Sequence, residues 1–228
     1  VYERHSVVNE WIAINSQKVS EQIEIPFLRD LGFKCPIYRI DHHYAHTLSF
    51  WPMKVKPNIH FVFDGFGDDW MYRSVWRDDK LIDYGKTPSD VNIGEVGSPS
   101  LGFIMTRMGA ALKLGGHFLD QAGKIMALKA FGKHNADVNN EGIDVDNLDK
   151  MWDFMVIDYH LNDQQYIMDY IHTAHEYTEQ IYLRHFQKFI KPDDIVGYSG
   201  GVAQNTVINK VLKDAIPNLV IPPHAYDQ

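Results

Sequence analysis

The chain has 228 residues, 45% of them hydrophobic, enough for one large core or two small ones. Its formal net charge of −8, without a long basic run, argues against binding a nucleic-acid backbone, although a glycine turn or a metal can hold a polyphosphate without net positive charge. The single cysteine, Cys35, excludes an intrachain disulfide and a thiolate cluster and reads as a small half-buried side chain.

No apolar run reaches the ~18 residues of a membrane span and no signal peptide is recognisable, so a cytoplasmic location follows by default. Residues 6–31 carry apolar positions at mixed helical spacing, clearest at Val7, Val8, Trp11, Ile12 and Ile14, and read as a helix. Residues 36–40 read as a short strand. Asp41 can cap a following helix that carries His42, His43 and His46. Residues 58–64, 70–76 and 81–85 read as a three-stranded meander, with a turn at Asp78-Asp79-Lys80. Residues 99–114 place Leu101, Ile104, Met105, Met108 and Leu112 on one helical face, with Ser98 or Ser100 as cap and Gly115-Gly116 as terminator. A helix over 120–130 and a polar excursion over 135–150 follow, then a long helix over 169–190. The strand 195–198 runs through Ser199-Gly200-Gly201 into a helix over 202–215, and 219–223 is again strand-like. This order describes a layered α/β plan. The chain begins at Val1 and stops just after a strand-like run, which is expected of an internal piece of a longer protein.

His42 and His46 stand four apart, so a helix puts both imidazoles on one face, one turn apart, where both can bind one metal ion. Asp64 closes an apolar run before Gly65-Phe66-Gly67, so its carboxylate sits where a strand turns. Two neutral imidazoles and carboxylate oxygens suit a divalent Fe, Mn or Zn ion. Taken singly, the histidine pair is a solvated helix surface and the glycine turn a hairpin with glycines at positive φ. Glycines there also let backbone amides approach a phosphate. His43 points to another face and is a candidate donor to a substrate oxygen. Gly200-Gly201, between a strand and a helix, forms either a tight turn or an anion and nucleotide site; no Gly-Lys-Ser/Thr follows, so it is not a P-loop. Lys124, among apolar neighbours, has the plain reading of a snorkelling helix lysine. His172 and His175 read as solvated, and Phe61, Trp70 and Trp76 as core.

In order, His42-His43-Tyr44-Ala45-His46, Asp64-Gly65-Phe66-Gly67, Gly123-Lys124-Ile125-Met126-Ala127-Leu128 through Phe131-Gly132, and Gly200-Gly201-Val202-Ala203-Gln204-Asn205 resemble the O-carbamoyltransferases of the nodulation and antibiotic-tailoring kind. The resemblance runs from about Pro36 to Pro222-Pro223-His224-Ala225-Tyr226-Asp227, which looks like the segment of the family's last metal aspartate. It implies an actin/hexokinase-like (ASKHA) layered fold with a mixed sheet, incomplete at both ends. Residues 1–228 would be part of the nucleotide-binding domain, without the first phosphate turn and the carboxy-terminal domain. The implied activity is ATP-dependent transfer of a carbamoyl group from carbamoyl phosphate, through a carbamoyl-adenylate, to a hydroxyl of a small-molecule acceptor. No nucleic-acid or membrane partner is implied, and a homodimer is compatible.

Carried over residue by residue, His42, His46, Asp64 and Asp227 would hold the metal, Fe2+ before Mn2+ or Zn2+. Gly65, Gly67, Gly200, Gly201 and Asn205 would contact ATP, with Lys124 near the ribose, and His43 would be the general base for the acceptor hydroxyl. The chain departs from the family pattern at Ala122, where an acidic residue usually precedes the Gly-Lys pair, and at Lys129, inserted in Leu128-Lys129-Ala130-Phe131. The tRNA threonylcarbamoyl-transfer proteins share the fold and the histidine pair but usually carry Ser-Gly-Gly where this chain has Asp64-Gly65-Phe66-Gly67. The hydrogenase-maturation carbamoyltransferases carry zinc-finger cysteines upstream. A catalytically silent nucleotide-binding module is the alternative of a different class. A metallopeptidase is disfavoured, because Tyr44 and Ala45 stand where His-Glu-x-x-His needs its glutamate.

Overall fold

A computed structural model describes residues 20–87, 100–117, 120–136 and 163–225. The sheet is organised around β3 (Ile59–Phe63), which is buried along its whole length. A strand flanked on both edges and covered on both faces needs a continuous apolar run, and Phe61-Val62-Phe63 supplies most of it. On one side lie β4 (Met71–Arg77) and β5 (Lys80–Lys86), each antiparallel to its neighbour. On the other lie β6 (Val196–Ser199) and β7 (Leu219–Val220), both parallel. The order is β5-β4-β3-β6-β7. Asp78 and Asp79, at φ 49° and 61°, form the β4–β5 turn; positive φ at both positions gives the twist a tight hairpin requires.

A parallel step from β3 to β6 requires a crossover. The chain fills it with α3 (Leu101–Ala111), α4 (Gln121–Leu128) and α5 (Gln164–Phe189). α5 presses one face onto the sheet. Phe186 stacks on Phe61 with centroids 3.9 Å apart, and Tyr182 meets Phe63 at 4.7 Å. Burying one such ring contributes about 2 kcal/mol. Arg77 and Asp194 form a two-pronged ion pair, both contacts 2.8 Å, that ties the start of β6 to the end of β4. The layered α/β plan with a mixed sheet, which the actin/hexokinase-like expectation requires, is therefore present. No helix among the described residues is long and apolar enough to cross a membrane.

Several boundaries differ from expectation for identifiable reasons. The helix expected over 6–31 is replaced, where described, by β1 (Ser20–Ile23) and the short α1 (Pro26–Asp30). Pro26 cannot continue a helix from upstream and pushes Ile25 to extended φ −117°, ψ 101°. β1 then pairs antiparallel with β2 (Ile37–Ile40). The rest of that expected helix, residues 1–19, lies outside the described residues. α5 starts at Gln164, because Asp163 accepts a hydrogen bond from the Tyr166 amide and caps it there. The closing helix, α6, spans Thr206–Ala215, and residues 201–204 form a 3-10 turn before it. Cys35 is exposed rather than half-buried. The polar excursion over 135–150 lies, beyond residue 136, outside the described residues.

Candidate metal and nucleotide site

Asp41 starts α2 (His42–Leu48) by accepting from the Tyr44 amide at 2.8 Å. Because the cap fixes the first turn, His42 and His46 emerge on one face, ring centroids 4.9 Å apart. Asp64 follows the last residue of β3 at the carboxyl edge of the sheet. From this edge the chain leaves β3 toward β4 on one side and leaves β6 toward β7 on the other, and ligand crevices of open α/β sheets form where neighbouring connections diverge in this way. Oδ2 of Asp64 faces Nε2 of His42 at 2.8 Å and Nε2 of His46 at 3.1 Å. Oδ1 accepts from the Gly65 amide at 2.6 Å and faces the Gly201 amide at 3.4 Å. Burial alone would raise the Asp64 carboxyl, but the hydrogen bonds from His42 and His46 hold it well below the usual range.

The donor atoms of His42, His46 and Asp64 lie within 4.8 Å of one another, and among the described residues no other trio does so. The donor set fits a divalent ion. Two imidazole nitrogens and a carboxylate converge, His46 and Asp64 are buried, and half-buried His42 leaves one side open. Three protein ligands leave coordination positions for water or substrate, as in catalytic metal sites. Asp227, the fourth ligand implied by the resemblance, lies outside the described residues.

The glycine turns behave differently from expectation. Neither Gly65 nor Gly67 has positive φ. Their amides are already used, Gly65 on Asp64 Oδ1 and Gly67 on the Met71 carbonyl at 2.6 Å, so in this conformation neither points at a phosphate. Gly67 is needed for packing, since a Cβ there would lie 2.3 Å from the His43 ring. Gly200 does require glycine. Its φ is +91°, and a Cβ would sit 2.2 Å from the Phe63 carbonyl oxygen.

A cavity of about 370 Å³ opens beside Gly201, between the amino ends of α3 and α4. Leu101, Met105, Gly123, Met126 and Val202 form its apolar walls, and Asp120 adds a carboxylate. Asn205 also lines it, but its Oδ1 caps α6 by accepting from the Val207 and Ile208 amides, each at 3.1 Å. Lys124 is not at the cavity. Its ammonium donates to the carbonyls of Leu114, at 3.3 Å, and Gly115, closing the end of α3.

His43 corrects the sequence expectation most clearly. It is 0% exposed. Nδ1 lies 2.8 Å from Ser74 Oγ and Nε2 lies 3.0 Å from the Met71 carbonyl. Burial lowers its pKa to about 3. A ring enclosed this way cannot exchange a proton with an acceptor hydroxyl, so His43 is not a general base. His175 is corrected too. It is buried, and desolvation lowers its pKa to about 4. His172, half-buried, hydrogen-bonds the Lys129 carbonyl. Sequence reasoning missed Ser100, whose hydroxyl donates to the Asp64 carbonyl at 2.5 Å instead of capping α3, and so holds that helix end at the site. Met105 belongs to the core, as its helical spacing indicated, but sequence reasoning missed that it and Met126 also line the cavity.

No protein-family model matches the chain, and no curated protein sequence does. The solved structures similar to it include two from 2-hydroxyacyl-CoA dehydratase systems. One is the activator of the 2-hydroxyisocaproyl-CoA dehydratase from Clostridium difficile with bound ADPNP, 10% identical over 80% of this chain and 60% of that one, TM-score 0.49. The other is component A of the (R)-2-hydroxyglutaryl-CoA dehydratase of Acidaminococcus fermentans, 13% identical over 80% and 61%, TM-score 0.45. The chain thus spans 60% and 61% of the length of these structures. Fold and site together define a layered α/β protein with a candidate metal centre at the carboxyl edge of its central strand.

Proposed function

We propose that this chain is the nucleotide-binding part of an actin/hexokinase-like, metal- and ATP-dependent carbamoyltransferase that moves a carbamoyl group from carbamoyl phosphate to a hydroxyl of a small molecule. One observation carries the reading: Asp64 gathers three of the sequence segments that carry the family resemblance. It touches His42 and His46 through one oxygen and faces Gly201 through the other. A divalent ion held by His42, His46 and Asp64 would neutralise polyphosphate charge.

The remaining parts suit ATP. The cavity beside Gly201 falls in the ~300–1,000 Å³ range of small-molecule sites, and its Leu101, Met105, Met126 and Val202 walls offer apolar surface to a purine. Gly200 lets the chain pass close to Phe63 and Gly201 close to Asp64, so a triphosphate leaving that cavity would run toward the three ligands. In the proposed reaction, water hydrolyses carbamoyl phosphate to carbamate and inorganic phosphate, a carbamate oxygen attacks the α-phosphorus of ATP as pyrophosphate leaves, and the acceptor hydroxyl, losing its proton to solvent, displaces AMP from the carbamoyl carbon.

The test is pyrophosphate release from ATP by a protein containing these residues within the longest available reading frame. Release is expected only when carbamoyl phosphate and a divalent metal are both present. ATP binding without any carbamoyl-phosphate-dependent release would leave a silent nucleotide-binding module instead.

A further inference from the structure

The enclosed environment of His43 leaves its conservative explanation, simple filling of space, incomplete, because both ring nitrogens are matched to specific partners. Trp76 Nε1–H donates to Ser74 Oγ at 2.7 Å, which leaves the Ser74 hydroxyl proton for His43 Nδ1 at 2.8 Å. Nδ1 is then the acceptor, and Nε2–H donates to the Met71 carbonyl at 3.0 Å. That carbonyl also accepts from the Gly67 amide, which closes the turn between β3 and β4. The same turn is tied to α2 a second time, because Asp68 Oδ2 accepts from the His42 amide at 3.0 Å. α2 carries His42 and His46, and the turn begins at Asp64. The His43 ring is therefore wedged between the two elements that supply the three candidate metal ligands.

We infer that His43 is a positioning residue: the buried Trp76–Ser74–His43–Met71 chain of hydrogen bonds locks the Asp64–Met71 turn against α2 and presets His42, His46 and Asp64 for a divalent cation. This rests on the metal site of the proposed function. Groups hydrogen-bonded directly to metal ligands typically carry a 10–100-fold share of metal affinity; His43 acts one step further out, through the turn and the helix that carry the ligands, so the low end of that range is expected.

The probe is Co2+ alone, titrated into the purified protein and read by its visible absorption and by competition with a chelator, with thermal melting beside it. His43→Phe keeps the ring volume and removes both hydrogen bonds; it is expected to bind Co2+ about 10-fold more weakly with a changed spectrum. His43→Gln can still donate to the Met71 carbonyl and should recover most of that affinity. Ser74→Ala, remote from the ligands, should weaken binding by a smaller factor and decides the matter if His43→Phe does not fold. Wild-type affinity and spectrum in His43→Phe, or in Ser74→Ala when only that variant folds, would overturn the inference. Failure of the unmodified protein to bind Co2+, or undiminished binding by His46→Ala, would instead overturn the metal site itself.

Discussion

The amide of Gly201 faces Oδ1 of Asp64 across 3.4 Å, although 137 positions separate the two residues. The carboxylate is thereby divided. One oxygen looks toward the imidazoles of His42 and His46, and the other toward the turn that borders the cavity. A ligand that moves this carboxylate on one side alters what it offers on the other.

Metal and ATP binding should therefore be coupled, and reciprocally. A divalent metal should tighten binding of a non-hydrolysable ATP analogue, and the analogue should tighten metal binding by the same factor. Couplings of this kind are typically about 5–150-fold. Calorimetric titration in both orders measures it. Equal analogue affinity with and without metal would remove Asp64 as a shared element.

His46→Ala should abolish stoichiometric divalent metal, read by elemental analysis of the folded protein. His46 is the more buried of the two histidines and shares Oδ2 of Asp64 with His42. Its loss leaves two ligands among the described residues, below the three found in catalytic zinc sites. Metal retained at wild-type content would mean that the ion sits elsewhere.

The two adjacent glycines should respond differently to alanine. At Gly200 the Cβ would meet the Phe63 carbonyl at 2.2 Å, with φ at +91°. Neither backbone can move without opening the edge of β3, so Gly200→Ala should cost about 2 kcal/mol or more. At Gly201 the nearest atom is Oδ1 of Asp64, 2.9 Å away, and the backbone imposes no positive φ. Gly201→Ala should be milder in stability but should weaken metal binding by displacing the carboxylate. Denaturant midpoints and metal titrations of the pair test this, and similar stability losses at both positions would contradict it.

The central trio was legible because its logic is local. A helical cap, a four-residue spacing and a strand-ending aspartate each declare themselves within a few positions, and only their meeting needed the fold. The continuous apolar run of β3 and the tight turn at Asp78-Asp79 were legible for the same reason. What failed to be legible were the destinations of polar groups. Periodicity places His43 on a different face from His42, but its partner Ser74 is 31 positions away, and nothing local marks that face as buried. Lys124 and Asn205 sit in motif positions associated with a nucleotide, yet they satisfy helix ends, a demand that every helix makes. Pro26 should have broken the helix expected over 6–31; mixed apolar spacing on both sides of it masked the break.

Acid should destabilise the protein through buried histidines outside the metal trio. Desolvation lowers His60 and His175 to about 4, against the usual 6.5. The unfolded chain then binds protons that the folded one refuses, so stability is full above 6.5 and falls as the pH drops toward 4. From pH 7 to pH 5 each such histidine should cost about 1–2 kcal/mol. His175 lies inside the face that α5 presses into the core, so His175→Leu suits its surroundings and removes the titrating ring. That variant should show a flatter dependence of melting temperature on pH between 7 and 5 than the unmodified protein. Parallel pH profiles for the two would show that protonation of His175 is not what limits stability in acid.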